Sequence, residues 1–257
     1  MKKVYYPTII NQEEIAENIF RMELELDEIA KVALPGQFIN LYCKEGENLL
    51  PRPISICEVN KEKGIVALVY AVVGKGTNSF SLLKKGETVK VLGPLGNGFQ
   101  IDKSIKKHIL IGGGIGVPPL IELAKHLTGV IYAFLGFAES PILVKELENY
   151  GVKVFVATDK GKVGFKGNVI DLLKNENTSG DMIYSCGPKP MLNAVSIWAE
   201  EMGIKAQVSI EERIACGIGV CVGCTCKYKK KEEEDWENKK VCTDGPVFWS
   251  EEVVWNE

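Results

Sequence analysis

His108-Ile109-Leu110-Ile111-Gly112-Gly113-Gly114-Ile115-Gly116-Val117-Pro118-Pro119 decides how the middle of this chain is built. A short apolar strand, His108–Ile111, runs into a glycine-rich turn, and Pro118–Leu127 continues with helical spacing. Proline is tolerated in a first helical turn, where its missing N–H has no partner to lose. Bare backbone lets a ligand approach closely, and a helix N-terminus favours phosphate. The run is not the dinucleotide fingerprint G-x-G-x-x-G/A, because Val117 and Pro119 occupy the final positions of its two frames. A tight strand–helix turn without a ligand is the competing reading.

Downstream, Val130–Leu135, Lys153–Ala157, Met182–Ser185 and Ala206–Ile210 read as further strands. Helix candidates lie between them at Val144–Tyr150, Val169–Lys174 and Met191–Met202. Strands alternating with helices predict a parallel sheet covered on both faces, with ligands at the carboxyl ends of the strands. Tyr184-Ser185-Cys186-Gly187-Pro188-Lys189-Pro190-Met191 repeats the strand, small-residue turn, proline and helix layout. Both junctions therefore belong at one sheet edge. Cys186 would lie where a bound ring could sit, unless it is a buried structural thiol.

Upstream the signals are all β. Val4–Ile10, Phe20–Leu26, Gln37–Cys43, Ile54–Val59, Ile65–Val72 and Thr88–Leu92 are β-rich runs separated by Pro, Gly or charged turns. Arg21-Met22-Glu23-Leu24-Glu25-Leu26 alternates cleanly, one face wet and one dry. Six such strands predict a small antiparallel barrel. Arg52-Pro53-Ile54-Ser55 and Gly74-Lys75-Gly76-Thr77 stand out in it. Arginine suits bidentate phosphate contacts, and backbone N–H groups of a Gly-x-Gly-Thr run suit a pyrophosphate. A solvated arginine on the barrel rim is the plainer alternative.

Beyond residue 210 the chain carries Cys216-Gly-Ile-Gly-Val-Cys221-Val-Gly-Cys224 and a distant Cys242. C-x4-C-x2-C followed by a remote cysteine is the plant-type spacing for a [2Fe–2S] cluster. Disulfides are disfavoured, since no apolar signal segment follows Met1-Lys2-Lys3. Zinc is the stronger rival, because Cys221-x2-Cys224 is also a zinc half-site, but a second half-site is missing. A thioredoxin-type pair would sit at a strand–helix junction rather than in a glycine-rich loop. Cys226 is an extra thiol, either packed or a competing fourth ligand. Lys227–Lys240, dense in Lys and Glu around Trp236, reads as a solvated hairpin tip.

The 257 residues divide as 1–100, 101–210 and 211–257. A net charge of -3 gives no argument for nucleic acid. Apolar stretches such as Val130 to Ala138 are too short to span a bilayer, which predicts a soluble, cytoplasmic protein. His108 and His126 read as a strand start and a helix surface, not a catalytic pair.

Taken in order, Arg52-Pro53-Ile54-Ser55, Gly74-Lys75-Gly76-Thr77, the glycine run ending at Pro119 and Cys186-Gly187-Pro188 resemble the ferredoxin–NADP reductase-like flavoenzymes. That family joins an FAD-binding antiparallel barrel to a nicotinamide-binding α/β domain. With the cysteine loop and Val241-Cys242-Thr243-Asp244-Gly245-Pro246-Val247-Phe248, the chain from about Tyr5 to Phe248 resembles the electron-transfer subunits of type B dihydroorotate dehydrogenases.

The resemblance implies roles. Arg52 and the adjoining Pro53 would hold the FAD pyrophosphate, helped by Gly76 and Thr77, with Ile54 packed on the flavin and Ser55 near N5. Val69, Tyr70 and Ala71 would supply main-chain groups and a side wall. Gly114, Gly116 and Pro118 would cradle NAD(H), with Cys186 and Gly187 near its ring and Thr158 and Asp159 on the nucleotide. Glu211 would be an acid near the flavin. Cys216, Cys221, Cys224 and Cys242 would bind the cluster, although the long charged gap before Cys242 leaves Cys226 in competition. Ser55, Cys186 and Glu211 would tune the redox chemistry. No base for oxidising dihydroorotate is evident, so that step would fall to an FMN-containing catalytic subunit, two of each chain forming a heterotetramer serving pyrimidine biosynthesis. The implied route runs from dihydroorotate through FMN, the cluster and FAD to NAD. The same modules would also suit a diaphorase-type subunit of a soluble hydrogenase or a bifurcating transhydrogenase; a zinc-stabilised nucleotide sensor is a different class of reading. NADH against NADPH stays open, since no Arg adjoins Thr158–Gly161 but Lys160 and Lys162 do.

Overall fold

Pairing along the first hundred residues begins with β1 (Lys3–Tyr5), β2 (Ile9–Ala16) and β3 (Ile19–Glu25), then a short helix α1 (Asp27–Val32). β4 (Phe38–Tyr42), β5 (Arg52–Asn60) and β6 (Ile65–Ala71) follow, then helix α2 (Lys75–Ser81) and β7 (Lys90–Leu95). The computed structural model describes residues 2–44, 49–230 and 235–255. The strands order as β1-β7-β4-β5-β6-β3-β2, and a Thr8–Thr88 bridge brings the ends together. The barrel core is filled by Met22, Leu24, Ile39, Leu41, Ile56, Leu68 and Tyr70.

Two sequence expectations change here. The run Val4–Ile10 is two strands rather than one, because Pro7 lacks the N–H a continuous ladder needs. β2 then continues through Asn11-Gln12-Glu13-Glu14, a stretch too polar to read as strand. It pairs along β3 with Glu13 and Glu14 exposed. Gly74-Lys75-Gly76-Thr77 opens α2, a helix the strand-rich reading of this third did not include, with the Thr77 hydroxyl accepting the Val73 N–H at 2.9 Å.

The middle third is doubly wound. β8 (Lys107–Gly113) leads through a 3-10 turn at Gly114–Gly116 into α3 (Pro118–His126). There follow β9 (Val130–Phe137), α4 (Val144–Asn149), β10 (Lys153–Thr158), β11 (Phe165–Lys166), α5 (Val169–Glu176), β12 (Met182–Cys186), α6 (Lys189–Met202) and β13 (Lys205–Ser209). α3 and α4 cover one face through Leu120, Leu123 and Leu147. α5 and α6 cover the other through Leu172, Leu173, Val195 and Trp198. Gly112 and Gly113 cap β8, with α3 following directly.

The C-terminal segment contributes the hairpin β14 (Thr225–Tyr228) and β15 (Glu237–Lys240), then β16 (Val247–Trp249). The second sheet orders as β11-β10-β9-β8-β12-β13-β16, parallel except for β16, which pairs antiparallel with β13. The tail thus returns to the middle sheet. The hairpin tip at residues 231–234 lies outside the described residues. Trp236 beside it is exposed, with the Lys227 ammonium 4.9 Å from its ring centre. Among the described residues, no helix is long and apolar enough to cross a membrane.

Candidate functional site

Strand order reverses between β8 and β12, which are neighbours although six helices and strands separate them along the chain. At that switch point the sheet opens a crevice at its carboxyl edge. Both glycine-rich junctions meet there. A Cβ on Gly116 would stand 2.4 Å from the Cys186 carbonyl oxygen, and one on Gly113 would stand 2.6 Å from the Met191 sulfur. Only glycine lets these two turns pack backbone against backbone. Gly114 has φ +51° with open space around its Cβ direction. Pro118, Gly114, Gly116, Cys186 and Gly187 are therefore one constellation. Burial pushes the Cys186 thiol up to about 12, against the Ser209 hydroxyl, which favours the thiolate. Glu211 is exposed, and its charge adds to the upward push on Cys186.

Thr158 and Asp159 sit at the end of β10, two strands away. The Thr158 hydroxyl donates to the Val163 carbonyl at 2.8 Å and so organises its own loop, whereas Asp159 is exposed. Lys160, on the exposed loop that follows β10, is ion-paired with Glu139.

In the barrel, Arg52 and Gly76 are brought together. A Cβ on Gly76 would meet the Arg52 guanidinium at 2.6–2.8 Å, so a larger residue would displace it. Arg52 donates to the Leu50 carbonyl at 2.6 Å. The first turn of α2, whose leading N–H groups have no partner within the helix, lies beside that guanidinium, and the two together suit a pyrophosphate. Strand parity corrects one expectation. Val69 packs toward α3, but the Tyr70 ring points the other way into the barrel core, stacked on Phe20 at 6.1 Å. Tyr70 is already buried and cannot form a side wall with its ring; only its main chain and Ala71 remain for that purpose. The Gly114–Gly116 turn lies against β6, so the switch-point crevice adjoins this end of the barrel.

Phe38↔Ser55 and Asn40↔Pro53 are cross-strand pairs on the β4–β5 ladder, and directly paired residues share a face. Phe38 packs with Cys224 and Cys242, so this face looks toward the cysteine loop. Asn40, fully buried, donates from Nδ2 to the Cys216 carbonyl at 3.4 Å, while its Oδ1 has no partner. Gly217 has φ +72°, and a Cβ there would fall 2.4 Å from Asn40 Nδ2. Sequence reading missed Asn40. Its signal was a polar residue inside the otherwise apolar run Phe38-Ile39-Asn40-Leu41.

The thiols form two pairs. Cys221 Sγ lies 3.3 Å from Cys216 Sγ, and Cys224 hydrogen-bonds Cys242. Among the described residues no three Cys, His, Asp or Glu side chains converge tightly enough for one metal ion. Two pairs of thiols fit two irons with two cysteines each better than a single tetrahedral zinc. Burial alone would raise the Cys216 thiol. The N–H groups of Cys221, Ile218 and Val220, with the Cys221 thiol, outweigh it and bring it down to about 6. Cys226 lies instead on β14, facing a cavity of about 450 Å³ with Lys189, Glu212 and Trp255. Burial pushes its thiol up to about 11.

The family comparisons agree with this layout. Residues 7–99 match the oxidoreductase FAD-binding domain, and residues 211–254 match the iron–sulfur cluster binding domain of dihydroorotate dehydrogenase B. The electron transfer subunit of dihydroorotate dehydrogenase B (NAD(+)) from Listeria monocytogenes is 44% identical over 252 residues, covering 95% of this chain and 96% of that one. Its counterpart from Caldanaerobacter subterraneus is 38% identical over 247 residues, covering 96% of both. Among solved structures, a chain of an NADH-dependent reduced ferredoxin–NADP oxidoreductase, studied for flavin-based electron bifurcation, superposes with TM-score 0.87. It is 30% identical, over 98% of this chain and 90% of that one. The ferredoxin reductase of carbazole 1,9a-dioxygenase (TM-score 0.67, 19% identical, 79% and 67% covered) shares the fold. The chain belongs to the family of dihydroorotate dehydrogenase B (NAD(+)) electron transfer subunits.

Proposed function

We propose that this chain passes electrons between NAD(H) and a one-electron partner, with the three ligand positions arranged around the barrel. When bound, FAD exchanges electrons in pairs with nicotinamide and singly with a [2Fe–2S] cluster, which is the chemistry such a subunit needs. Arg52, Gly76 and the start of α2 hold the pyrophosphate; Pro53, Ile54 and Ser55 line the flavin. Gly114, Gly116, Pro118, Cys186 and Gly187 seat the nicotinamide half, and Thr158 and Asp159 lie toward the nucleotide half. Cys216, Cys221, Cys224 and Cys242 bind the cluster. The supporting observation is that one barrel face reaches the cysteine loop through Asn40 while the neighbouring barrel end meets the Gly114–Gly116 turn. The units divide at 100/101 and 210/211, and the protein works in the cytoplasm, where thiols stay reduced.

No base placed for dihydroorotate oxidation accompanies these groups. That step we assign to an FMN-containing catalytic subunit, in a heterotetramer of two chains of each kind. The purified chain, loaded with FAD and cluster, is expected to show flavin bands with an iron–sulfur shoulder and to reduce artificial acceptors with NADH. Dihydroorotate turnover by the pure chain, or zinc in place of iron, would sink the reading. A reduced ferredoxin partner in place of the FMN subunit is the second reading, favoured by the whole-chain structural likeness. Co-purification and the mass of the complex separate the two.

The partner surface follows from exposure. Val220 and Val222, 79% and 73% exposed, flank Cys221 with Ile218 beside them, an apolar rim around the cysteine loop. Val222→Lys is expected to weaken binding of the FMN subunit by about tenfold, roughly 1.4 kcal/mol, leaving NADH reduction of the flavin unchanged. Calorimetric titration of the two subunits checks this, and undiminished affinity would move the docking face elsewhere.

A further inference from the structure

The β4–β5 ladder ends at the Phe38↔Ser55 pair, so the rest of β5 has no strand on that side. Its backbone groups still need partners if buried. Helix α3 supplies them. Glu122, 2% exposed, accepts the Val59 N–H at 2.8 Å through Oε2. Lys125, on the same face three residues later, donates to the Val59 carbonyl at 2.6 Å. Side chains of a helix thus take both halves of one peptide position, as a neighbouring strand would. The clasp is internally tied: Lys125 bonds Glu122 Oε2 at 3.0 Å, and His126 Nε2 meets Oε1 at 3.0 Å. Around it, Glu58 receives Arg21 at 2.9 Å and the Tyr150 hydroxyl.

Position gives this contact its meaning. β5 begins with Arg52–Ser55, the flavin run, and Val59 lies four residues on. α3 begins at the switch-point turn, and Glu122 lies about one helical turn past Pro118. A single buried carboxylate therefore ties the strand that carries one cofactor position to the helix that follows the other. We propose that Glu122, with Lys125, is a positioning residue that fixes the approach of nicotinamide to flavin. The inference rests on the electron-transfer reading above.

Its test uses the FAD- and cluster-loaded protein in stopped-flow mixing with NADH, following flavin bleaching and the nicotinamide–flavin charge-transfer band. The wild-type chain is the control for the underlying reading: if NADH does not bleach its flavin, that reading fails, independently of the clasp. Given wild-type bleaching, Glu122→Ala is expected to lower the limiting rate by about tenfold or more and weaken the band. NADH affinity should change by less than about threefold, with flavin and iron content unchanged. Glu122→Gln keeps an acceptor for Val59 N–H and should stay within about threefold of wild type. If Glu122→Ala does not fold, Lys125→Met, which removes the bonds to the Val59 carbonyl and to Glu122 but keeps the Glu122 acceptor for the Val59 N–H, is expected to shift the rate in the same direction. A wild-type rate and band in Glu122→Ala, or in Lys125→Met where Glu122→Ala does not fold, overturns the proposal even if the Tm is lowered.

Discussion

Cys242→Ser is expected to strip the cluster, while Cys226→Ser leaves it in place. The plant-type pattern asks for a remote cysteine such as Cys242, and position sets the two thiols further apart. Cys242 is fully buried and hydrogen-bonded to Cys224, completing the second of two sulfur pairs. Cys226 faces away into the cavity bounded by Lys189, Glu212 and Trp255. Loss of a metal-binding thiolate should exceed the roughly 10–100-fold affinity loss typical of outer-sphere changes. Iron content and the electron paramagnetic resonance signal of the reduced protein measure it. Full iron in Cys242→Ser, or an iron-free Cys226→Ser, would reverse the assignment.

Gly116→Ala should be nearly as severe. The added methyl would meet the carbonyl oxygen and carbon of Cys186 and the Cα of Gly187 at 2.4–2.6 Å. All three are backbone atoms, so no rotamer relieves the overlap, and the two switch-point turns must part. Overpacking of this kind costs about 1–3 kcal/mol. With these turns as the proposed nicotinamide seat, KM for NADH is expected to rise by about tenfold or more. Flavin content should hold, since the Arg52–Gly76 cradle lies elsewhere. An unchanged KM would show that the turns do not form the nicotinamide seat.

The switch-point crevice was legible in the sequence because its signals are local. A strand, a glycine turn and a proline-started helix occur twice, and parallel-sheet topology then sets both at one edge. The cysteine loop was legible for the same reason. What escaped is what depends on partners distant in sequence. β2 runs through Asn11–Glu14 because β3 supplies the ladder, and nothing in those residues announces it. Tyr70 took its role from the family resemblance, but strand parity, set by which face of β6 meets the core, turns its ring inward. Asn40 becomes meaningful only when Cys216, far along the chain, arrives beside it.

The return of the tail to the middle sheet bears on biosynthesis. β13 is paired on its outer side only by β16, through Gln207↔Trp249, Val208↔Phe248 and Ser209↔Val247. These tail residues are made after β13 and after the whole cysteine loop. Until they emerge, β13 is an open edge, the kind of surface that recruits other chains. The stretch holding all four paired cysteines is thus translated before this edge of the sheet can close, so metal insertion and closure of that edge follow one another closely along the chain.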